Sequence, residues 1–215
     1  MLRRRLLTRL LLALTAAAGA GAAIGLSLGL TRSPSAPARA GVSAAPAYRG
    51  QVQWPPRSKR APAFTLPDLE NRPVSLRSEQ SRTVLLTFFD SHCRKECPLE
   101  GRALGQVQRA LRGSGVPVTL LVVAVNPKGD TKRSVAAFMR ATHWTLRWRW
   151  LGGRSARLRR VWHAYRIAVV PLRGDIGHSV ALYVIDPRGY QRTLYLFPFA
   201  ARDVARDIRY VAATA

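Results

Sequence analysis

Cysteine is nearly absent from this chain of 215 residues: Cys93 and Cys97 are the two present. That scarcity excludes a disulfide-dense scaffold and a zinc site built from four cysteines. Histidine is scarce as well, with His92, His143, His163 and His178 leaving room for one small metal site. Acidic residues number 11 against 35 Lys+Arg, which sets the net charge at +24, and few of the basic residues are Lys. No internal repeat is found. What the chain does have is apolar content: 47% hydrophobic against 21% charged residues is a globular balance and excludes a wholly disordered chain. The length fits one ordinary domain with extras, or at most two small ones.

The start of the chain sets the expected compartment. Arg3, Arg4, Arg5 and Arg9 precede a run from Leu10 to Thr31 that carries no charge. A secretory h-region spans about 7–15 residues and a membrane-crossing helix about 20, so residues 1–31 read as an uncleaved signal anchor. Ala38-Arg39-Ala40 offers the competing small-residue cleavage site. The basic start stays in the cytoplasm, which places the chain from Arg32 onward on the extracytoplasmic face of a single-pass membrane protein. A strongly basic outer domain is also drawn to anionic headgroups. Residues 32–60, rich in Ser, Pro, Ala and Arg, read as a flexible tether. Residues 61–215 remain as one folded domain.

Within that domain the pattern is α/β. Ala61 to Leu76 alternates apolar and polar residues around Glu70-Asn71-Arg72, which predicts a hairpin. Thr83–Phe89 and Val118–Val125 are continuous apolar runs suited to strands buried on both faces. Between them, Leu99, Ala103, Leu104, Val107, Ala110 and Leu111 form one helical stripe. Thr131–Thr142 and Arg154–Tyr165 predict helices, Ser179–Asp186 a third strand, Arg192–Phe197 a fourth, and Ala201–Ala213 a closing amphipathic helix. A β-α-β unit followed by a hairpin and a helix is the thioredoxin-like arrangement, a central mixed sheet flanked by helices.

The chemistry sits in Cys93-Arg94-Lys95-Glu96-Cys97-Pro98, between the first buried strand and a helix expected to open near Pro98. Thiols at a helix N-terminus, beside Arg94 and Lys95, are biased toward thiolate, the nucleophilic and metal-ligating form. On a regular helix, residues four apart hold their Cβ atoms about 5–6 Å apart, beyond the ~3.5–4.5 Å of a disulfide. The spacing therefore serves a metal-binding dithiol or an easily reduced redox pair, and a permanent disulfide across so short a loop stabilises little.

The run FFDSHCRKECP resembles the C-x-x-x-C-P signature of the Sco/SenC family, thioredoxin-fold copper chaperones. APAFTLPDL, AVNPKGDT, WLGG and GHSVALYVIDPRG match in order, so the resemblance covers about Ala61 to Tyr195. It implies that Cys93, Cys97 and His178 bind one copper ion, as Cu(I) or Cu(II). It further implies delivery of copper to the binuclear centre of cytochrome c oxidase subunit II, or reduction of that centre's cysteines. Another extracytoplasmic copper or thiol protein is the other partner so implied, with a monomeric domain. Soft thiolates with an imidazole agree with copper, while two Cys, one His and an open position also describe a catalytic zinc site. The alternative function is a thiol-disulfide oxidoreductase in which Cys93 attacks and Cys97 resolves.

Two residues depart from the family pattern: Arg94 stands where Pro is frequent, and Asn126 where Asp is common before Pro. His92 is expected to be exposed. His143 and His163 fall at or within predicted helices with no partner. Trp144 to Trp150 interleaves aromatics with arginines, a pattern that also suits single-stranded nucleic acid. Period-2 alternation explains it instead, with Leu146, Trp148 and Trp150 facing the core and Arg147 and Arg149 facing solvent. Export argues against nucleic acid. The arginines at 154, 157, 159 and 160 read as a solvated helix face or a contact for an acidic partner.

Overall fold

The computed structural model describes residues 48–215. The expected signal anchor and the first part of the expected tether lie outside the described residues. Among the described residues, no helix is long and apolar enough to cross a membrane.

The two continuous apolar runs become the centre of the sheet. β4 (Thr83–Phe89) and β5 (Val118–Ala124) are parallel and buried along their whole length. Their alternation divides the core. Leu85, Phe89, Leu120, Val122 and Ala124 point into one layer, while Val84, Leu86, Phe88, Leu121 and Val123 point into the other. Each such Val, Leu or Phe side chain removed from water contributes about 1.5–3 kcal/mol. The first layer is filled from α1 (Glu96–Ala110), α2 (Lys132–Thr142) and α4 (Ala201–Ala213). The second is filled from α3 (Ser155–Ala164) and the small hairpin of β2 (Thr65–Pro67) and β3 (Pro73–Ser75).

The remaining strands complete a six-stranded sheet. β6 (Trp148–Leu151) pairs parallel to β5 at one edge. On the other side β9 (Ala181–Ile185) runs antiparallel to β4, β10 (Gln191–Leu196) to β9, and β1 (Val52–Gln53) to β10. The order is β1-β10-β9-β4-β5-β6, so the loop leaving β4 sits where the sheet's connections diverge, the usual place for a ligand in an α/β sheet. α1 lies close against α2, because a Cβ on Gly101 or Gly105 would meet Thr142 at 2.4 or 2.2 Å.

Three features differ from the sequence reading. Residues 48–60 were expected within a flexible tether. Instead Tyr48 is buried, Val52 and Gln53 pair with β10, and the Arg49 N–H donates to Asp207 at 2.7 Å. Burying one aromatic and pairing a two-residue strand orders a stretch whose composition alone does not. The ten residues before Ser179 form a separate two-stranded sheet, β7 (Val169–Leu172) with β8 (Asp175–His178). His178 therefore ends a strand of its own, with Ser179 and Val180 between it and β9. Finally, Trp150 is buried as expected, but Leu146 is 37% exposed, and Arg147 and Arg149 pair with Glu79 and Asp68 rather than facing water alone.

Candidate metal centre

The loop leaving β4 is shaped by two aspartates. The Asp90 carboxylate accepts the His92 N–H at 2.8 Å and the Asn126 side-chain amide at 3.2 Å. Asp130 accepts the Ser91 N–H at 3.0 Å, the Ser91 hydroxyl at 2.6 Å and the Trp150 indole N–H at 2.9 Å. Burial pushes the Asp130 carboxyl up, and these donors offset part of that. Asn126 and Asp130 follow β5, so the loops after two parallel strands are tied together at one end of the sheet.

α1 then begins two residues earlier than expected. Glu96 is its first residue, Cys97 its second and Pro98 its third. Proline is tolerated there because the first N–H groups of a helix have no intrahelical partner. Lys95 at the N-cap contributes no side-chain acceptor. The Cys93 sulfur takes that place, receiving the Lys95 and Cys97 backbone N–H groups. Cys93 thus precedes the helix, and the regular i, i+4 spacing does not apply to the pair. Both thiols are free.

The two sulfurs titrate apart. Cys93, half-buried, is pulled down to about 6, first by a hydrogen bond from the Cys97 side chain and then by the backbone N–H groups. Cys97 is fully buried and is pushed up, by that same bond to Cys93 and by burial. The pair therefore holds one proton, on Cys97, with Cys93 as the thiolate.

His178 completes the group. Its Nε2 lies 3.2 Å from Cys97 Sγ, and its Nδ1 lies 3.0 Å from the Ser179 carbonyl oxygen. A carbonyl only accepts, so Nδ1 carries a hydrogen, and Nε2 is the nitrogen that faces the sulfur. This is the orientation in which an imidazole ligates a metal, with its other nitrogen fixed by a backbone carbonyl. Cys93 and His178 open onto a cavity of about 410 Å³ also lined by Lys95, Glu96, Leu172, Asp175 and Ile176, while Cys97 is fully buried against His178. Two sulfurs and an imidazole nitrogen gathered at the start of α1 form a donor set that fits a soft ion, with one sulfur already ionised.

The other histidines do not join. His92 is exposed and lies 3.2 Å from the Ser91 hydroxyl. His143 closes α2 in a left-handed conformation, and His163 is exposed on α3. Asp90, His92 and Asp130 bring ligand atoms within 4.8 Å of one another, but their aspartate oxygens are engaged by the loop contacts above.

Sequence reasoning passed over one buried acid. Glu100, one turn beyond Cys97, is fully buried, and burial raises its carboxyl to about 8. Thr87 Oγ1 lies 2.8 Å from Glu100 Oε1 and 3.1 Å from the Ala181 carbonyl oxygen, with one hydrogen for the two. A neutral Glu100 supplies the second hydrogen. The signal was in the sequence: Glu100 falls on the same helical stripe as Leu104, Val107 and Leu111.

Comparison with known proteins decides the family. The SCO1/SenC family model matches residues 53–213, which include both cysteines and the histidine. The chain belongs to the SCO1/SenC family. Among curated relatives, the mitochondrial SCO2 homologue of Bos taurus is 29% identical over 154 residues. The match takes in 68% of this chain but 57% of that protein, so the chain spans little more than half the length of such relatives. Among solved structures, copper-bound ScoI of Arabidopsis thaliana superposes with a TM-score of 0.64 at 19% identity, covering 72% of this chain and 99% of that one. A SCO1/SenC family lipoprotein from Bacillus anthracis gives 0.66 at 20% identity, over 77% and 99%. These likenesses bear out the thioredoxin-like fold expected for this SCO1/SenC domain, with its mixed sheet and flanking helices.

Proposed function

We propose that this SCO1/SenC protein is an extracytoplasmic copper-binding metallochaperone, held to the membrane by its N-terminal segment. Its cargo is one copper ion carried by Cys93, Cys97 and His178. Its recipient is the binuclear copper site of cytochrome c oxidase subunit II or another extracytoplasmic copper or thiol protein. The observation that carries this reading is the placement of His178 Nε2 3.2 Å from Cys97 Sγ, with Nδ1 held by the Ser179 carbonyl. Copper-bound ScoI of Arabidopsis thaliana and copper-bound yeast Sco1 share the fold and support the choice of metal.

Loading asks little of the protein. Cys93 is already ionised and half-exposed, so it makes first contact with an incoming ion. Cys97 then exchanges its proton for the metal. Release is ligand exchange: an acceptor thiolate bonds to the copper as a donor sulfur leaves, with no change in oxidation state.

A thiol-disulfide oxidoreductase is the second reading, favoured by the depressed Cys93 thiol above a protonated Cys97. Copper analysis and a Cu(I) competition titration on the reduced full chain separate the two. One equivalent of copper is expected for the wild type. His178→Ala is expected to lose Cu(II) binding and to keep weaker Cu(I) binding, because two thiolates suit Cu(I) without imidazole. Its stability should change by about 1 kcal/mol or less, since Ala adds no bulk to a part-exposed position. Unchanged Cu(II) binding by a folded variant, together with disulfide reductase turnover in metal-free buffer, would select the oxidoreductase.

A further inference from the structure

No Asp or Glu occurs between Asp130 and Asp175, a stretch that holds eleven Arg or Lys. It supplies α2, β6, α3 and β7. Arg147 and Arg149 at the sheet edge reach carboxylates on other elements. The arginines of α3 do not. Arg154, Arg157, Arg159 and Arg160 are all exposed, and among the described residues none forms an ion pair. Arg157 and Arg160 stand over a cleft of about 510 Å³ whose floor is Phe64, Val161 and Tyr165 and whose lining contains no carboxylate. Like charges clustered on one helix repel one another, so nothing within the domain accounts for the cluster.

We propose that this face of α3 is a docking surface for an anionic phospholipid bilayer. A protein partner needs more than charge; interface anchors are large side chains that bury in a partner's pocket. None of the exposed large hydrophobics lies on α3: they are Val52, Leu99, Leu146, Val170, Leu172 and Leu196. Lipid phosphates ask for distributed cations within a Debye length, which is what the helix displays. Guanidinium groups also pair with phosphate bidentately, and the cleft beneath Arg157 and Arg160 gives one headgroup a place free of competing acid. α3 fills the layer of the core opposite to α1, the helix that carries Cys97. Docking through α3 therefore leaves the α1 layer turned toward water. The proposal does not depend on which metal or reaction the cysteines serve.

All five tryptophans lie at or beyond Trp54, so energy transfer from tryptophan to a dansyl-labelled headgroup reports the domain and not the N-terminal segment. The full chain is reconstituted into vesicles of phosphatidylcholine alone or mixed equally with phosphatidylglycerol. Transfer is expected to be higher in the anionic vesicles and to fall to the neutral level in about 0.5 M salt. Arg157→Glu with Arg160→Glu should abolish the rise. Arg102→Glu with Arg109→Glu, on the exposed side of α1, makes the same change in net charge and should preserve it. Equal wild-type transfer in the two lipids would overturn the proposal and return the arginines to an acidic protein partner. Equal loss in both double variants would overturn it too, because net charge alone would then explain the attraction. If the glutamate pair at 157 and 160 fails to fold, glutamines at the same positions remove the charge without adding repulsion and decide the matter.

Discussion

His178 and Cys97 meet at 3.2 Å although 81 residues separate them in the chain. The contact joins the first turn of α1 to the end of the β7–β8 hairpin, which pairs with no strand of the main sheet. Ser179 anchors the hairpin's base. Its N–H donates to the Ala168 carbonyl, its hydroxyl accepts the Ala168 N–H, and its own carbonyl accepts His178 Nδ1–H. One residue thus fixes both the position of the imidazole and the nitrogen it presents. The imidazole comes from a two-stranded hairpin outside the main sheet, made definite by three hydrogen bonds.

The thiols give a pH prediction. In the reduced, metal-free protein, Cys93 should ionise with a midpoint near pH 6, read as thiolate absorbance. Cys97→Ala removes the largest cause, its side-chain hydrogen bond, while the Lys95 and residue-97 backbone N–H groups stay. The midpoint should move up toward the free value of ~8.5 without reaching it. The folded value lies below the unfolded one, so this thiolate stabilises the fold above about pH 8.5. The contribution is lost as the pH falls through 6. A midpoint unmoved in the variant would mean that Cys97 is not the donor.

Much of this was legible from residue order. Thr83–Phe89 and Val118–Val125 announced themselves as central strands because a strand buried on both faces tolerates no polar interruption. The dithiol announced itself through its place between a strand and a helix. His178 was legible only through family resemblance, since neither periodicity nor spacing brings a histidine 81 residues away onto a cysteine. The β7–β8 hairpin escaped notice because its exposed Val170 and Leu172 follow no buried pattern. The order of residues 48–53 escaped it because Tyr48 is held by α4 and β10, which lie far along the chain.

Asn126 yields a second prediction. It stands where the family commonly has aspartate, and here its amide donates to the Asp90 carboxylate at 3.2 Å from both oxygens. Asn126→Asp would exchange that donor for a second carboxylate facing Asp90, beside the Asp130 side chain. The loop should loosen, with a loss on the order of 1–3 kcal/mol at neutral pH that shrinks as the carboxylates are protonated. Unfolding of wild type and variant at pH 7 and pH 4 measures this. A penalty of the same size at both pH values would show that shape, not charge, is at stake.

Glu100 yields the last. Its carboxyl is raised from 4.5 in the unfolded chain to about 8 by burial, so across that interval the folded protein holds a proton that the unfolded chain has released. The stability this provides is fully present below pH 4.5 and is lost as the pH rises through about 8. Glu100→Gln keeps the shape and the donor. Its amide N–H serves Thr87 Oγ1 as the neutral acid does, and its oxygen takes the place of Oε2, which has no partner in the described structure. The variant should therefore match the wild type near pH 4.5 and exceed it at pH 8, by on the order of a few kcal/mol. Denaturant unfolding of the reduced protein at the two pH values is the measurement. Parallel stability profiles for the two proteins would mean that Glu100 is ionised in the fold, and that Thr87 gives its one hydrogen to the carboxylate rather than to Ala181.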